Sequence, residues 1–197
     1  ARPEGIGFAV AQALAADGFT VVVHDLDSQA TAAAAEQLGD RAWPLAFDLA
    51  DLEAIDRGAD ELRKRFGTVD VLVHNAGVCK VDRFTDSDPA DWDLMWRVNV
   101  RAPMRLTQLL LPAMVATEGG GRVVFIGSDG ALAGSSGEGA YAATKAALSG
   151  LAKTLAREVA RHGVSVNIVS PGPTDTHMHR AVAAENPKLV ERLNRLV

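Results

Sequence analysis

The sequence predicts a doubly wound α/β domain, a parallel sheet with helices on both faces. Strand-like and helix-like stretches alternate about five times along the chain, the pattern of successive βαβ units. The strand stretches are short and apolar on both sides, as in Val21-Val22-Val23 and Val71-Leu72-Val73, which suits strands covered on both faces. Glycine recurs just past the helix ends, at Gly18, Gly39, Gly67 and Gly163, where a left-handed cap is needed.

Each element follows from its local pattern. Ile6 to Asp17 is apolar with helical period, and Gly18 ends it. Thr20 to His24 is a strand. Ser28 is the expected N-cap of an Ala-rich helix that reaches Leu38 and closes at Gly39. Ala42 to Phe47 is a strand, Leu52 to Phe66 a helix stopped at Gly67, and Val69 to Val73 a strand. A long helix is expected from about Asp91, past Trp92 and Trp96, toward Val115. Arg122 to Ile126 is a strand, Gly139 to Arg161 a helix, and Val164 to Val169 the last strand. A helical pattern returns from Pro187 to Val197. No internal repeat or linker breaks this order, so residues 1–197 are read as one domain.

Composition excludes several function classes. Twenty Lys plus Arg stand against 25 Asp plus Glu, a net charge of −5, with 48% hydrophobic residues. That is a soluble globular composition, and an acidic chain without a basic block argues against nucleic acid or an anionic membrane as partner. The longest apolar run, Leu109 to Ala116, is interrupted by Pro112 and falls far short of the roughly 20 residues of a membrane span. With Cys79 as the only cysteine there is no intrachain disulfide, and a cytoplasmic location is expected. The chain opens inside what reads as a glycine-rich turn, without an initiator Met, and stops within a helical pattern. It is therefore expected to be a piece of a longer protein, without the first strand, and to fold poorly alone because two strand edges would lie unpaired.

In a sheet of this kind ligands bind beyond the carboxyl ends of the strands, and the informative residues stand there. Gly5-Ile6-Gly7 opens the first helix, where small residues and free N–H groups admit a phosphate. Asp25 ends the next strand, eighteen residues past Gly7, the place for an acidic group that accepts from a ribose diol. Asp25, with Glu4 nearby, repels a 2′-phosphate; Arg2 works the other way, and NAD is favoured over NADP. Asp48 and Leu49 follow the third strand, and Asn75-Ala76-Gly77 the fourth. Taken alone, that tripeptide is also an ordinary turn. Tyr141 and Lys145 stand at i and i+4 on one helix face, where an ammonium would pull a phenol down from its usual pKa near ~10. Ser128 follows the strand that ends at Ile126-Gly127. Asn99 lies inside the long helix, where asparagine is a mediocre helix former.

In this order and at these strand ends, the residues resemble the short-chain dehydrogenase/reductase family over essentially the whole chain, including Ser128 thirteen residues before Tyr141 and the loop Pro171-Gly172-Pro173-Thr174-Asp175-Thr176. The resemblance implies a Rossmann-type fold and a catalytic tetrad. Tyr141 would be the acid–base, Lys145 its modulator and a nicotinamide-ribose ligand, Ser128 the group that polarises the reacting oxygen, and Asn99 the holder of a relay water. It also implies a dinucleotide held by Gly5, Ile6, Gly7, Asp25, Asp48, Leu49, Asn75, Ala76, Gly77, Tyr141, Lys145, Pro171, Gly172, Thr174 and Thr176, with NAD favoured and NADP the alternative. The reaction implied is hydride transfer between that cofactor and a secondary alcohol or ketone, in a homo-oligomer, dimer or tetramer, acting on a small molecule.

Some positions depart from the family pattern. The usual Asn-Asn-Ala-Gly is His74-Asn75-Ala76-Gly77, and the usual Val or Ile of the last loop is Thr174. Ser128 to Tyr141 and Thr154 to Thr176 are most similar to members acting on 2-hydroxycyclohexanecarboxyl-CoA and related 3-hydroxyacyl thioesters, and to 3-oxoacyl-(acyl-carrier-protein) reductases. A 3-hydroxyacyl thioester or cyclic alcohol is thus the expected substrate. The alternatives are an NADPH-dependent 3-oxoacyl reductase and a catalytically silent dinucleotide-binding sensor or scaffold. His177 to Asn186 reads as a mobile lid. The pair His177 and His179 has no further ligands at metal spacing, so no metal is expected.

Overall fold

A computed structural model describes residues 5–185. Glu4, Arg2, Asn186 and the helical pattern from Pro187 to Val197 lie outside them. In chain order the elements are α1 (Ile6–Ala16), β1 (Val21–Asp25), α2 (Ser28–Leu38), β2 (Ala42–Ala46), α3 (Leu52–Phe66), β3 (Val71–His74), α4 (Pro89–Trp96), α5 (Ala102–Ala116), β4 (Arg122–Ile126), α6 (Gly130–Ala133), α7 (Gly139–Val159), β5 (Ser165–Val169) and α8 (His177–Glu185). Every strand pairing is parallel, in two sheets, β1-β2 and β3-β4-β5. The alternation read from the sequence is therefore the fold, a Rossmann-type α/β architecture. The chain divides into two compact units, one running to Leu49 and resuming at Pro173, the other Ala50–Gly172.

In the first unit, β1 and β2 pair from Val21 opposite Ala42 to Asp25 opposite Ala46. Phe8, Ala11, Val21, Val23 and Ala34 form the buried core, with Leu14, Ala15 and Leu38 packed against it. The apolar face of α1 and the inward positions of β1 supply this core. Asp27, not Ser28, caps α2: its carboxylate accepts from the N–H of Gln29 at 2.8 Å and of Ala30 at 3.3 Å. An anionic cap also suits the positive helix end, so the helix starts one residue earlier than the serine suggests. Replacing Asp27 by Ala is expected to cost about 1 kcal/mol, read as a lower urea midpoint at unchanged m-value.

In the second unit β4 is the middle strand, with Val123 opposite Leu72 on one side and Val166 on the other. Val123, Phe125 and Ile126 are buried, as a strand covered on both faces requires. α3 packs on α5, tied by Arg105, which donates twice to Asp56 at 2.7 Å. α7 packs on β5 and β4 and against α4. Met95 of α4, Leu110 and Met114 of α5 and Leu148 of α7 are buried. Because β3 and β4 run parallel, the residues after His74 and after Ile126 emerge at the same edge of this sheet, and α7 begins with Tyr141 in its first turn.

The long helix expected from Asp91 to Val115 is interrupted. Arg97–Arg101 forms a π-helical turn between α4 and α5, a one-residue insertion of the kind that often marks a functional position. Asn99 is at its centre.

Candidate active site

Four side chains named from the sequence come together in the second unit. Asn99 is fully buried, and its amide spans a turn. Its Oδ1 accepts from the Val78 N–H at 2.8 Å, and its Nδ2 donates to the Val78 carbonyl at 2.9 Å and to Thr144 Oγ1 at 3.1 Å. The loop after β3 has left its strand ladder, and this amide replaces the lost partners of Val78. Thr144 in turn donates to the Tyr141 carbonyl at 2.7 Å, so the π-turn, the β3 loop and the first turns of α7 are locked together. The polar atoms of the Asn99 side chain are thus engaged with protein groups, and its direct role here is to fix the loop that carries Gly77.

A side chain at Gly77 would crowd two groups of the site. A Cβ there would stand 3.1 Å from Asn99 Oδ1 and 3.4 Å from Lys145 Nζ. Lys145 is buried, and its ammonium donates to the carbonyl of Ile126, the last residue of β4, at 2.8 Å. The same ammonium lies 5.7 Å from the centroid of the Tyr141 ring. The Ser128 hydroxyl lies close enough to the Tyr141 side chain to act on its pKa, and its Oγ accepts from the Gly130 N–H at 3.2 Å. Asp129 caps α6 through the same N–H at 2.7 Å, which fixes Ser128 between β4 and α6. The Pro171 carbonyl accepts from the Asp129 N–H at 3.0 Å, which brings the Pro171-Gly172 loop against the serine.

The electrostatics differ from the expectation in one respect. Burial pulls Lys145 down to about 8, so it is still cationic at neutral pH but close to titrating. Tyr141 is not lowered. Burial raises it most, negative neighbours that include Glu138 and Asp129 add to this, and the nearby Ser128 hydroxyl works the other way. Cys79, pushed up to about 12 by burial and then by Glu138, is a neutral thiol at physiological pH, so the two carboxylates are the charges that count. The desolvation of the phenol outweighs the lysine in the protein alone. A phenol with a serine hydroxyl near it and a buried ammonium alongside can hold one oxygen of a substrate and exchange its proton.

The first unit carries a second set of residues. Gly5 is the N-cap of α1 and offers no capping side chain, so first-turn N–H groups are left for an anion. Asp25 is half-buried at the end of β1, and one carboxylate oxygen accepts from the Asp27 N–H at 3.2 Å. Asp48 is exposed and Leu49 half-buried just past β2. Thr176 caps α8 by accepting from the His179 N–H at 3.2 Å, and Thr174 is exposed. The stretch read as a lid is thus largely helical, α8, with Arg180 paired to Asp175 at 2.7 and 2.9 Å. In the second unit Asn75 is half-buried, Ala76 exposed and Gly77 half-buried, while Gly172 lies 3.5 Å from Asp129 at its would-be Cβ. In the first unit, uncapped helix N–H groups and a strand-end carboxylate suit the phosphate and ribose of a nucleotide. Among the described residues no group of three or more His, Cys, Asp or Glu is placed to hold a metal, and no helix is long and apolar enough to cross a membrane.

Comparison with known proteins decides the family. The model of the short chain dehydrogenase family matches residues 2–187. The chain belongs to the short-chain dehydrogenase family. It is 35% identical over 179 residues to 3-oxoacyl-[acyl-carrier-protein] reductase FabG of Escherichia coli, covering 91% of this chain and 73% of that protein. It is 33% identical over 171 residues to sorbitol dehydrogenase of Cereibacter sphaeroides, covering 87% of this chain and 67% of that one. Among solved structures, a short-chain dehydrogenase from Streptomyces avermitilis superposes with a TM-score of 0.85 at 36% identity, over 95% of this chain and 75% of its own. A gluconate 5-dehydrogenase from Burkholderia cenocepacia, solved with NADP and tartrate, gives a TM-score of 0.85 at 30% identity, over 93% and 72%. As a short-chain dehydrogenase the chain is an NAD(P)-dependent oxidoreductase acting on CH–OH groups.

Sequence reasoning missed two residues of this family member's site. Thr144 is the link between Asn99 and Tyr141, visible in sequence only as the residue before Lys145. Glu138 stands beside Tyr141, and its one sequence signal was a glutamate at the start of a helix, where it makes a poor N-cap.

Proposed function

We propose that this short-chain dehydrogenase oxidises a secondary alcohol with NAD, Tyr141 exchanging the proton of the reacting oxygen. The observation that supports this most directly is the buried Lys145 ammonium, tied to the Ile126 carbonyl at 2.8 Å and 5.7 Å from the centre of the Tyr141 ring, with the Ser128 hydroxyl near the phenol. Bound nicotinamide supplies or accepts the hydride. Ser128 and Tyr141 hold the substrate oxygen from two sides, Lys145 keeps positive charge next to the phenol, and Asn99 keeps the Gly77–Val78 turn in place. Gly5, Ile6 and Gly7 would receive the pyrophosphate. Asp25 would take the adenosine ribose, Asp48 and Leu49 the adenine, Asn75 to Gly77 with Lys145 the nicotinamide ribose, and Pro171, Gly172, Thr174 and Thr176 the carboxamide. The substrate is a small molecule, a 3-hydroxyacyl thioester or a cyclic alcohol. We place the enzyme in the cytoplasm as a homodimer or homotetramer, with residues 1–197 as one dinucleotide-binding domain.

NAD rather than NADP rests on Asp25, whose carboxylate would accept from a free ribose diol and repel a 2′-phosphate. Titration with NADH and with NADPH, followed by nicotinamide fluorescence, tests this. NADH is expected to bind at least tenfold tighter, and Asp25→Asn to narrow the gap roughly tenfold by removing one like-charge contact. Tighter NADPH binding would instead favour the second reading, a biosynthetic 3-oxoacyl reductase. The likeness to the Escherichia coli reductase supports that reading.

A further inference from the structure

One acidic group next to Tyr141 is not used by the acid–base chemistry. Glu138 occupies the N-cap position of α7, yet its side chain makes no capping bond, although that position normally spends a side-chain oxygen on a first-turn N–H. The carboxylate is half-buried and has no hydrogen-bond or ion-pair partner among the described residues. Its Oε2 lies 3.2 Å from the point where a Cβ on Gly130 would stand, and Ser128 Oγ lies 3.4 Å from that same point. The β-carbon of Ser135 is also 3.4 Å from it, and the Ser135 hydroxyl is buried without a partner. Glu138, Ser135 and Ser128 therefore close around the buried Gly130, which sets the Glu138 carboxylate near the serine that neighbours Tyr141. The carboxylate is close enough to Tyr141 to raise its pKa.

A half-buried carboxylate without a donor is held at a cost, and a ligand that supplies a donor recovers it. An unsubstituted acyl chain or ring would cover Glu138 and leave it unpaired. A second hydroxyl on the carbon next to the reacting carbinol would donate to it while the first hydroxyl sits between Ser128 and Tyr141. We infer that Glu138 is a specificity-determining residue that accepts a hydrogen bond from a second substrate hydroxyl, so that the enzyme prefers vicinal diols to the corresponding simple alcohols. The second hydroxyl is not consumed; it orients the first. This inference rests on the alcohol-dehydrogenase reading above and narrows its substrate class.

The test compares kcat/KM for 1,2-cyclohexanediol and for cyclohexanol with NAD, in the wild-type full chain and in Glu138→Leu and Glu138→Gln. The wild type is expected to favour the diol by roughly 10- to 100-fold, the worth of a hydrogen bond to a charged group. Glu138→Leu should lose most of that ratio, chiefly through a higher KM for the diol. Glu138→Gln, which keeps an acceptor oxygen but not the charge, should fall between, and it carries the test if the leucine variant has a lowered thermal midpoint. A wild-type preference for cyclohexanol, or a diol preference untouched in both folded variants, would overturn the role of Glu138 and leave the alcohol-dehydrogenase reading standing. Oxidation of neither alcohol, with NADH still bound, would overturn that reading and this inference together.

Discussion

Tyr141→Phe is expected to lower kcat by about 10²- to 10⁴-fold, the usual contribution of a positioned acid–base, with NADH affinity held within a few-fold. The substitution removes one oxygen and keeps the ring that lies 5.7 Å from the Lys145 ammonium. The turns around it are held by the Thr144 hydroxyl and the Asn99 amide, not by the phenol, so the fold should be unaffected. The loss should therefore appear in turnover and not in the thermal midpoint. Alcohol oxidation needs the phenol to accept a proton. Because burial and the neighbouring carboxylates raise its pKa, the basic form is scarce at neutral pH, and wild-type oxidation should accelerate as pH rises into the alkaline range. Ketone reduction needs the protonated phenol and should slow over the same range. The phenylalanine variant should lose that opposed pH dependence along with its rate. Residual turnover within a few-fold of wild type, with the same pH profile, would show that another group moves the proton.

How much of this was legible in the sequence depends on the range of the interaction behind each feature. The α/β alternation was readable because period-2 and period-3.6 patterns are local, and β4 came out with the bounds expected from Arg122 to Ile126. The cap of α2 was missed by one residue because Asp27 and Ser28 are both good caps and only geometry chooses between them. The π-turn at Arg97–Arg101 leaves almost no trace in a helical pattern, since one inserted residue shifts a period by a fraction of a turn. The poor helix propensity of Asn99 was its single hint. Tyr141 and Lys145 were found because i and i+4 spacing is itself a geometric statement. Their electrostatics were not, because burial comes from β4, the β3 loop and α6, which are distant in sequence. Glu138 escaped for the same reason: its significance lies in packing against Gly130 and Ser128, eight and ten positions earlier in the chain.

His74, where the family more often has asparagine, should make this protein acid-sensitive. It ends β3, its ring stacks on Phe125 with centroids 4.9 Å apart and planes at 13°, and its Nε2 lies 2.8 Å from Thr107 Oγ1. Burial alone pulls its pKa from 6.5 to about 3. The folded protein therefore keeps the ring neutral at pH values where the unfolded chain has already bound a proton. Below pH 6.5 the unfolded state binds more protons, so stability falls as pH falls, by up to about 1.4 kcal/mol per pH unit, until the folded state also titrates near 3. Between pH 6.5 and 4.5 this amounts to roughly 2.5 kcal/mol, a large share of the 5–15 kcal/mol of a typical domain. His24, lowered first by burial and held by the Phe47 carbonyl at 2.9 Å, adds in the same direction. Urea unfolding of wild type and His74→Asn at pH 7 and pH 5 separates the contributions. The variant should be less stable at pH 7, because it loses the stack on Phe125, and should lose less on going to pH 5, because the His74 contribution is gone and that of His24 stays. Equal losses in the two proteins would mean that the ring is charged inside the fold, which the apolar wall of β4 gives no means to support.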